Sequence, residues 1–264
     1  METEMGKKGI LAVSFGTSYE ETRKRTIDAI EAALSDAFPD RVLYRAWTSR
    51  RILKKLEETK GIHYDTIPEA MERMKRDHVT DLLVQPTHML DGLENRTMIE
   101  EIQKYQDQFT CIRIGKPMLS DETDKEALTE AVIKIFPELN DQNMLALMGH
   151  GSPHITEGIY ESLDEQFRAK GYPNICVGTV EHEPGFDGIL ERASRQKPQK
   201  IFLAPLMIVA GDHAQNDMAG EDEDSWKSQL ERKGFQTVCV LKGLGEYPQI
   251  REIFVRHAQQ AEKL

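Results

Sequence analysis

The chain has 264 residues, 39% of them hydrophobic and 30% charged, which is the composition of an ordinary globular protein. The formal net charge of −11 argues against a nucleic-acid-binding protein, because neutralising phosphates needs a basic surface. No apolar stretch approaches the roughly 20 residues of a membrane span, and the polar segment 1–9 predicts no signal peptide. We therefore expect a soluble, cytoplasmic protein whose cysteines are buried, reduced thiols.

Short apolar or β-branched runs predict eight strands. In chain order they are Ile10–Phe15, Arg41–Trp47, Asp81–Met89, Thr110–Gly115, Met144–Met148, Asn174–Val180, Lys200–Val209 and Gln236–Leu241. Between them lie helical patterns at Thr22–Phe38, from Pro68 through Met74, at Ile155–Ala169, at Phe186–Arg195, at Asp212–Arg232 with a break near Gly220, and at Pro248–Lys263. This alternation predicts an α/β fold with parallel sheets flanked by helices.

The two halves of the chain share an order of unusual residues. The aligned pairs are Gly16 with Gly151, Pro86 with Pro205, Gly92 with Gly211, and Glu94 with His213. We therefore predict an internal duplication of a four-strand unit, with residues 1–140 as the N-terminal half and 141–264 as the C-terminal half. The last helix is expected to pack back across both halves.

Two histidines stand where ligands bind in such sheets, beyond the carboxyl ends of the strands. His150 lies between two glycines at a predicted strand end, where missing side chains allow close approach of a ligand. His213 follows Asp212, a candidate helix cap, and Asp217 lies four residues on, on the same helical face. Alternatively, His150 is a solvated histidine in a turn. His213 is then an exposed residue in the first turn of a helix, or it forms a metal site with Asp217.

The segment after the sixth predicted strand offers a carboxylate to join these histidines. Glu181, His182 and Glu183 are all eligible, although Pro184 suits a helix start and so explains Glu183 as an acid near that start. Two imidazoles and one carboxylate form an open site for a divalent metal such as zinc, iron or cobalt. Such a site can serve hydrolysis, oxygenation or metal transfer, so residue types alone leave the reaction open.

The remaining motifs are less specific. The acidic run 221–224 is most simply a solvated turn, and a basic cluster follows the second predicted strand, where it either faces solvent or meets ligand carboxylates. That cluster comprises Arg45, Arg50, Arg51, Lys54 and Lys55. The sequence lacks the lysine motif of an NTPase phosphate loop, the glycine motif of a dinucleotide site and the nucleophile elbow of a serine hydrolase.

Several stretches together resemble the anaerobic-pathway cobalt chelatases that act on sirohydrochlorin, a class II chelatase family related to ferrochelatase. They are Val13–Ser18, Arg45–Ser49, Met148–Gly151, Pro205–Met207, Val209–His213, Asn216–Met218, Asp224–Lys227 and Gly243–Glu246. The resemblance covers nearly the whole chain. It implies a chelatase-like fold of two four-stranded parallel sheets flanked by helices, related by a pseudo-twofold axis, with the tetrapyrrole in the cleft between the halves.

The resemblance also implies that His150, Glu181 and His213 bind the metal and are the catalytic residues. The implied reaction inserts cobalt(II) into sirohydrochlorin, or its oxidised or precorrin form, in anaerobic cobalamin biosynthesis, with histidine-assisted deprotonation of the ring. Cobalt is then a substrate, and no permanent cofactor is expected. The expected substrate-binding residues are Ser14, Gly16, Thr17, Ser18, Arg45, His88, Gly92, Glu94, Gly151, Ser152 and Gly211.

Other functions remain open from the sequence. They are an iron or nickel chelatase acting on a related tetrapyrrole, a non-catalytic tetrapyrrole or metal carrier, and a hydrolase or oxygenase with two histidines and one carboxylate. The expected partners are an anionic tetrapyrrole and a divalent metal, with no nucleic acid and no membrane. A homo-oligomer is compatible with the sequence.

Overall fold

The parallel strands expected from the sequence are present in the computed structural model, which describes residues 6–151 and 158–264. The strands are β1 (Lys7–Ser14), β2 (Val42–Trp47), β3 (Val79–Pro86), β4 (Cys111–Ile114), β5 (Asn143–Gly149), β6 (Ile175–Thr179), β7 (Lys200–Pro205), β8 (Thr237–Cys239) and β9 (Glu262–Lys263). The helices are α1 (Glu20–Arg25), α2 (Ile27–Ala37), α3 (Arg50–Lys60), α4 (Ile67–Arg76), α5 (Leu93–Gln103), α6 (Glu122–Ile135), α7 (Ile159–Ala169), α8 (Phe186–Gln196), α9 (Trp226–Arg232) and α10 (Pro248–Gln259). Short 3₁₀ turns at Gln106–Gln108 and Leu244–Glu246 and a π-helical turn at Ala214–Met218 complete the described elements.

The strands form two sheets with the same order. The first sheet runs β2-β1-β3-β4-β9 and the second runs β6-β5-β7-β8, with every pairing parallel except that of β4 with β9. Central strands of parallel sheets are covered by helices on both faces, so they read as continuous apolar runs. Ile10–Val13 of β1 and Met144–Met148 of β5 are almost completely buried, as this requires. The predicted α/β fold with parallel sheets is confirmed.

The two sheets also agree in register and in local backbone geometry. Val13 pairs with Pro86 in the first sheet, and Met148 pairs with Pro205 in the second. Beyond the strand ends, the Ser49 amide donates to the Phe15 carbonyl at 3.2 Å. The Glu181 amide donates to the His150 carbonyl at the same distance.

The glycines that follow these strand ends support the same alignment. Gly16 has a φ of 97° and Gly151 a φ of 88°, a region that residues with a side chain rarely adopt. Two of the pairs aligned from the sequence, Gly16 with Gly151 and Pro86 with Pro205, therefore occupy matching places in the two sheets, which supports an internal duplication.

Several element boundaries differ from the prediction. The helix predicted over Thr22–Phe38 is two helices, because the chain turns at Thr26, whose hydroxyl donates to the Thr22 carbonyl at 2.6 Å. The predicted strand Lys200–Val209 ends at Pro205, after which the chain leaves the sheet.

The C-terminal prediction is wrong in its last residues. The predicted helix Pro248–Lys263 ends at Gln259, and Glu262–Lys263 forms a short antiparallel strand on β4. The first sheet therefore has five strands instead of the four implied by the resemblance.

The chain divides into two compact units. The first comprises the chain up to Ser120 together with Pro248–Leu264, and the second is Asp121–Tyr247. In this division α6 belongs to the second unit, whereas α10 belongs to the first, where it packs against α2 and β3. The predicted halves 1–140 and 141–264 place both helices differently. No helix of the described residues is long and apolar enough to cross a membrane.

The three cysteines are free thiols. Cys176 on β6 is buried, and burial raises the pKa of its thiol to about 12, so the thiol stays protonated at neutral pH. Cys111 and Cys239 are only partly buried, so the expectation of burial holds for one of the three.

A buried carboxylate clamps the helices of the second unit to β6. Asp164 of α7 is 5% exposed and accepts a hydrogen bond from the Val177 amide at 3.0 Å. It also accepts two hydrogen bonds from the guanidinium of Arg192 on α8, at 2.9 and 2.7 Å, and pairs with Arg168 at 2.7 Å. This cluster holds the strand whose carboxyl end leads to Glu181.

We predict that Asp164→Ala lowers the free energy of unfolding by about 3 kcal/mol, because it leaves Arg192 without its carboxylate in a largely buried place. Urea denaturation followed by circular dichroism measures this change. Glu191→Gln, which removes an exposed partner of Arg195, is the control and should change stability by less than about 0.5 kcal/mol. Equal stability of Asp164→Ala and the wild type would contradict the clamp.

Candidate metal centre

Three neighbouring strands of the second sheet converge on one set of side chains. The central strand β5 is followed directly by His150, its neighbour β6 is followed by Glu181 two residues on, and β7 leads to His213. Because carboxyl ends of parallel strands meet at one edge of a sheet, these side chains are brought together from distant parts of the sequence. One ligand atom from each of the three residues lies within 4.8 Å of the other two.

Backbone hydrogen bonds past the strand ends place His150 beside Glu181. The Val180 amide donates to the Gly149 carbonyl at 3.1 Å, and the Glu181 amide donates to the His150 carbonyl at 3.2 Å. These bonds continue the β5–β6 ladder beyond the regular strands. The two side chains consequently face each other, with His150 Nδ1 3.7 Å from Glu181 Oε2.

The turn after β6 distinguishes the two glutamates that the sequence left open. The Thr179 hydroxyl donates to the His182 carbonyl, and the Thr179 amide donates to the Pro184 carbonyl at 2.7 Å, which closes a tight turn. Glu181 projects from this turn towards the histidines. Glu183 instead accepts a hydrogen bond from the Gly185 amide at 2.9 Å at the start of α8 and is not part of the three-residue group.

His213 is held by the helical turn that follows β7. Its Nδ1 lies 2.7 Å from Oδ2 of Asp217, one turn further on. Its ring meets the ring of His150 edge to face, with 4.8 Å between the ring centroids and 90° between the ring planes. Asp217 therefore contacts the Nδ1 atom of His213 and is not itself one of the three grouped residues.

The geometry fits a divalent ion with ligand positions to spare. A tetrahedral ion with bonds of about 2.1 Å holds its ligands about 3.4 Å apart, so small side-chain movements would bring these three atoms onto one ion. The side chains of His150 and Glu181 are 49% and 47% exposed, so the site is open to solvent. A three-ligand open site can exchange its metal and admit a second molecule, unlike a closed four-ligand structural site.

Tyr160 is a contributor to this site that the sequence did not reveal. A Cβ at Gly149 would lie 2.4 Å from Cε1 of Tyr160, so the glycine lets the ring pack directly against the backbone before His150. Burial raises the pKa of Tyr160, while hydrogen bonds from the backbone of Gly151 and His150 act in the opposite direction. An aromatic residue on a helix carries no sequence signal of this role, and the glycine before His150 is the sole hint.

A second glycine contact fixes the approach to His213. A Cβ at Gly243 would lie 2.4 Å from the Ile208 carbonyl oxygen and 2.7 Å from Cα of Val209. The 3₁₀ turn Leu244–Glu246 can therefore lie directly on the segment after β7, where the Leu244 amide donates to the Met207 carbonyl at 2.8 Å. This contact gives a physical reason for one of the stretches that carried the resemblance.

The predicted substrate-binding residues after β1 are mostly engaged within the first unit. The Ser14 side chain is buried and accepts a hydrogen bond from the Thr87 hydroxyl at 2.8 Å. Thr17 is buried and its hydroxyl accepts from the Tyr19 amide at 3.2 Å. Gly16 packs on the ring of Trp47, whereas Ser18 is partly exposed.

Arg45 is bound to carboxylates of its own unit. Its guanidinium donates to Glu31 through Nε at 2.7 Å and to Asp28 through a second nitrogen at 2.5 Å. Burial raises the pKa of Glu31, against the effect of Arg45, which lowers it. Because both carboxylates already use this guanidinium, Arg45 is a poor partner for a ligand carboxylate.

The other predicted substrate contacts are divided. His88 is 7% exposed, and burial lowers its pKa, so its ring is neutral and shielded from solvent. Gly92 is buried before α5, where a Cβ would lie 3.7 Å from Oε2 of Glu94, and Glu94 itself is exposed. Gly151 and Gly211 flank the metal-centre histidines, and Ser152 lies outside the described residues.

The sequence matches a known protein family over almost its whole length. The family model described as "Cobalt chelatase (CbiK)" matches residues 8–263. The chain is 38% identical over 255 residues to a sirohydrochlorin cobaltochelatase of Salmonella typhimurium, covering 97% of this chain and 96% of the relative. It is 30% identical over 260 residues to the sirohydrochlorin cobaltochelatase CbiKC of Nitratidesulfovibrio vulgaris, covering 97% and 91%.

Solved structures share the fold. The chain is similar to SirB from Bacillus subtilis with Fe³⁺, with a TM-score of 0.67, 16% identity and coverage of 96% and 95%. It is also similar to the sirohydrochlorin chelatase SirB from Bacillus subtilis subspecies spizizenii in complex with cobalt, with a TM-score of 0.64, 15% identity and coverage of 96% and 94%. At these identities the likeness shows the fold alone.

We predict that Gly243→Ala disturbs the approach to His213, because the added methyl group meets backbone atoms that cannot move aside as a side chain could. The expected loss of stability is about 1–3 kcal/mol, measured by thermal unfolding. Gly188→Ala on α8 is the control, because a Cβ there would meet no atom within 4 Å. This substitution should be neutral or slightly stabilising.

Proposed function

The chain belongs to the cobalt chelatase family, and we propose that it inserts cobalt(II) into sirohydrochlorin, or a closely related form of that ring, as a step of cobalamin biosynthesis. The observation that carries the proposal is the open group of His150, Glu181 and His213 beyond the carboxyl ends of three adjacent strands. The relatives at 38% and 30% identity, matched over nearly their full lengths, support the same reaction. The three free thiols fit a reducing compartment, and we propose the cytoplasm.

The reaction replaces two pyrrole N–H protons by one divalent ion, so the protein must hold the metal and accept protons. We propose that His150, Glu181 and His213 bind cobalt(II) at one face of the ring. Histidine both binds metals and changes charge near neutral pH, and His150 is our first choice to accept a proton, through Nε2 as the ion leaves that nitrogen. Glu181 supplies negative charge that offsets part of the charge of the ion, and it helps to carry the released protons away to solvent.

The open geometry suits a metal that leaves with the product. Because cobalt is a substrate, it must be bound loosely enough to pass to the ring nitrogens. Half-exposed ligands and the small number of protein donors both favour exchange. A ring held in a non-planar form would turn its nitrogen lone pairs towards the ion, and binding that form preferentially lowers the barrier.

The three side chains of this site would bind other divalent metals besides cobalt. Two imidazoles and a carboxylate bind cobalt and nickel well, and the order of affinities gives no strong preference for cobalt. Iron and nickel therefore remain alternatives for the same site, and metal supply then decides which product forms. The test is competition between the three ions in the turnover assay.

The carboxylates of the substrate need cationic partners, and we propose Arg50 and Arg51. Both are exposed in the first turn of α3, which contains no acidic side chain, and neither makes an ion pair within the described part of the chain. Cations at the positive end of a helix dipole are unfavourable on their own and attract anions. We propose that the backbone of Gly16, Thr17, Gly92, Gly151 and Gly211 and the side chains of Ser18 and Glu94 also contact the ring.

We predict that His150→Ala lowers turnover at least about 100-fold, because it removes both a metal ligand and the proposed proton acceptor. Metal-stripped protein is mixed anaerobically with sirohydrochlorin and cobalt(II), and the visible spectrum is compared with a reaction without enzyme. His182→Ala, an exposed histidine beside Glu181 and outside the three-residue group, is the control and should retain turnover. Near-full activity of His150→Ala would contradict the assignment.

The same assay separates the enzyme from a carrier. A carrier binds the metallated ring and gives no more than one equivalent of product, whereas the proposed enzyme converts many equivalents. If the ring binds with a spectral shift but cobalt enters no faster than in buffer, the proposal of catalysis fails.

We predict that the double variant Arg50→Ala with Arg51→Ala raises the KM for sirohydrochlorin about tenfold or more, since a charge-assisted hydrogen bond contributes about 1.5–3 kcal/mol. The turnover number at saturation should change little. Lys104→Ala, which removes an exposed cation after α5 and outside the basic cluster, is the control. An unchanged KM in the double variant would remove these arginines from the proposed binding site.

A further inference from the structure

Each histidine of the metal centre has one ring nitrogen beside a protein oxygen. Nδ1 of His150 lies 3.0 Å from the Gly151 carbonyl oxygen, and Nδ1 of His213 lies 2.7 Å from Oδ2 of Asp217. A carbonyl or a carboxylate can only accept a hydrogen bond, so Nδ1 must be the protonated nitrogen of each ring. In the neutral imidazole this leaves the lone pair on Nε2, the nitrogen then able to bind a metal.

The two partners differ in kind. The carbonyl of Gly151 belongs to the backbone, at a glycine with a positive φ. Asp217 is a side chain in the π-helical turn Ala214–Met218, four residues after His213. Single π-helical turns interrupt regular helices and recur at functional sites.

Within the described part of the chain, the single hydrogen bond of Asp217 and its ion pair are both with His213. It is also outside the group of three residues whose ligand atoms come together. The neighbouring acid Asp212 is engaged differently, accepting a hydrogen bond from the Asn216 amide group at 3.2 Å. The 2.7 Å contact therefore has one evident consequence, which is to fix the ring of His213.

We infer that Asp217 is a positioning residue, which holds His213 in the tautomer with the proton on Nδ1 and directs Nε2 to the metal. The inference rests on the proposed function, because it specifies how one ligand of that centre is prepared. Without Asp217 the ring is free to rotate and to carry its proton on Nε2, and either change removes the lone pair from the metal. Such outer partners of metal-binding histidines typically contribute 10–100-fold in metal affinity.

Three substitutions separate positioning from packing. Asp217→Ala removes the acceptor. Asp217→Asn keeps the shape but offers an NH₂ group that can donate to Nδ1 and so stabilise the wrong tautomer. Asp217→Glu changes the shape but keeps the carboxylate. If Asp217 positions the ring, Asp217→Glu should keep much of the metal binding and Asp217→Asn should not. If the side chain only packs against its surroundings, the reverse is expected.

The first measurement is binding of cobalt(II) alone to the metal-free protein, followed by the visible absorption of the bound ion. We expect Asp217→Ala and Asp217→Asn to weaken binding about 10–100-fold and Asp217→Glu to stay within about fivefold of the wild type. Glu223→Gln, in which an almost fully exposed carboxylate 3.6 Å from Arg232 is removed, is the control and should bind as the wild type does. Equal binding by all variants, or normal binding by Asp217→Asn with loss in Asp217→Glu, would overturn the inference.

The second measurement reports the tautomer directly. Nitrogen-15 NMR of the metal-free protein labelled at histidine, assigned with His213→Gln, should show Nε2 of His213 without a proton in the wild type and protonated in Asp217→Asn. A proton on Nε2 in the wild type would overturn the inference. Failure of the wild-type protein to metallate sirohydrochlorin would instead refute the proposed function, and both measurements on the metal-free protein would still decide the role of Asp217.

Discussion

The hydrogen bond from the Glu181 amide to the His150 carbonyl is the contact on which the metal centre depends. It continues the ladder between two strands that are buried almost completely, so the positions of two exposed candidate ligands are set by the core of the sheet. A loop of the same composition without this bond would leave both side chains to sample many arrangements, and ordering them would oppose metal binding. The strands thus supply stiffness to a site that itself contains little buried surface.

That arrangement resolves two opposing demands on a protein that transfers a metal. The ligands must be aimed precisely, yet they must also release the ion. Precision comes from backbone bonds, from Tyr160 packed under Gly149 and from the partners of the two Nδ1 atoms. Release of a bound ion is favoured by the exposure of the side chains of His150 and Glu181 and by the low number of candidate ligands. Nothing in the described site would enclose an ion on all sides.

Much of this organisation could be predicted from the sequence because the informative residues lie at strand ends. Apolar runs located the eight parallel strands, and histidines flanked by glycine or following aspartate marked two of the three residues of the candidate metal centre. Glu181 and Glu183 could not be separated by sequence reasoning on local grounds, because the difference lies in a turn closed by Thr179 and in a hydrogen bond to Gly185.

What the sequence missed depends on contacts between distant residues. The carboxylates that occupy Arg45 lie 14 and 17 positions earlier on a helix, and no local pattern links them. The burial of His88 likewise follows from packing around β3 and not from its neighbours in the chain. The two-residue strand Glu262–Lys263 is polar and too short to show any period, so it was read as the end of a helix.

The first sheet repeats this hydrogen bond, from the Ser49 amide to the Phe15 carbonyl. One backbone arrangement occurs twice, and in one copy its two positions carry an imidazole and a carboxylate while in the other they carry a phenyl ring and a hydroxyl. The first sheet therefore carries the backbone arrangement of the candidate metal centre without its imidazole and its carboxylate.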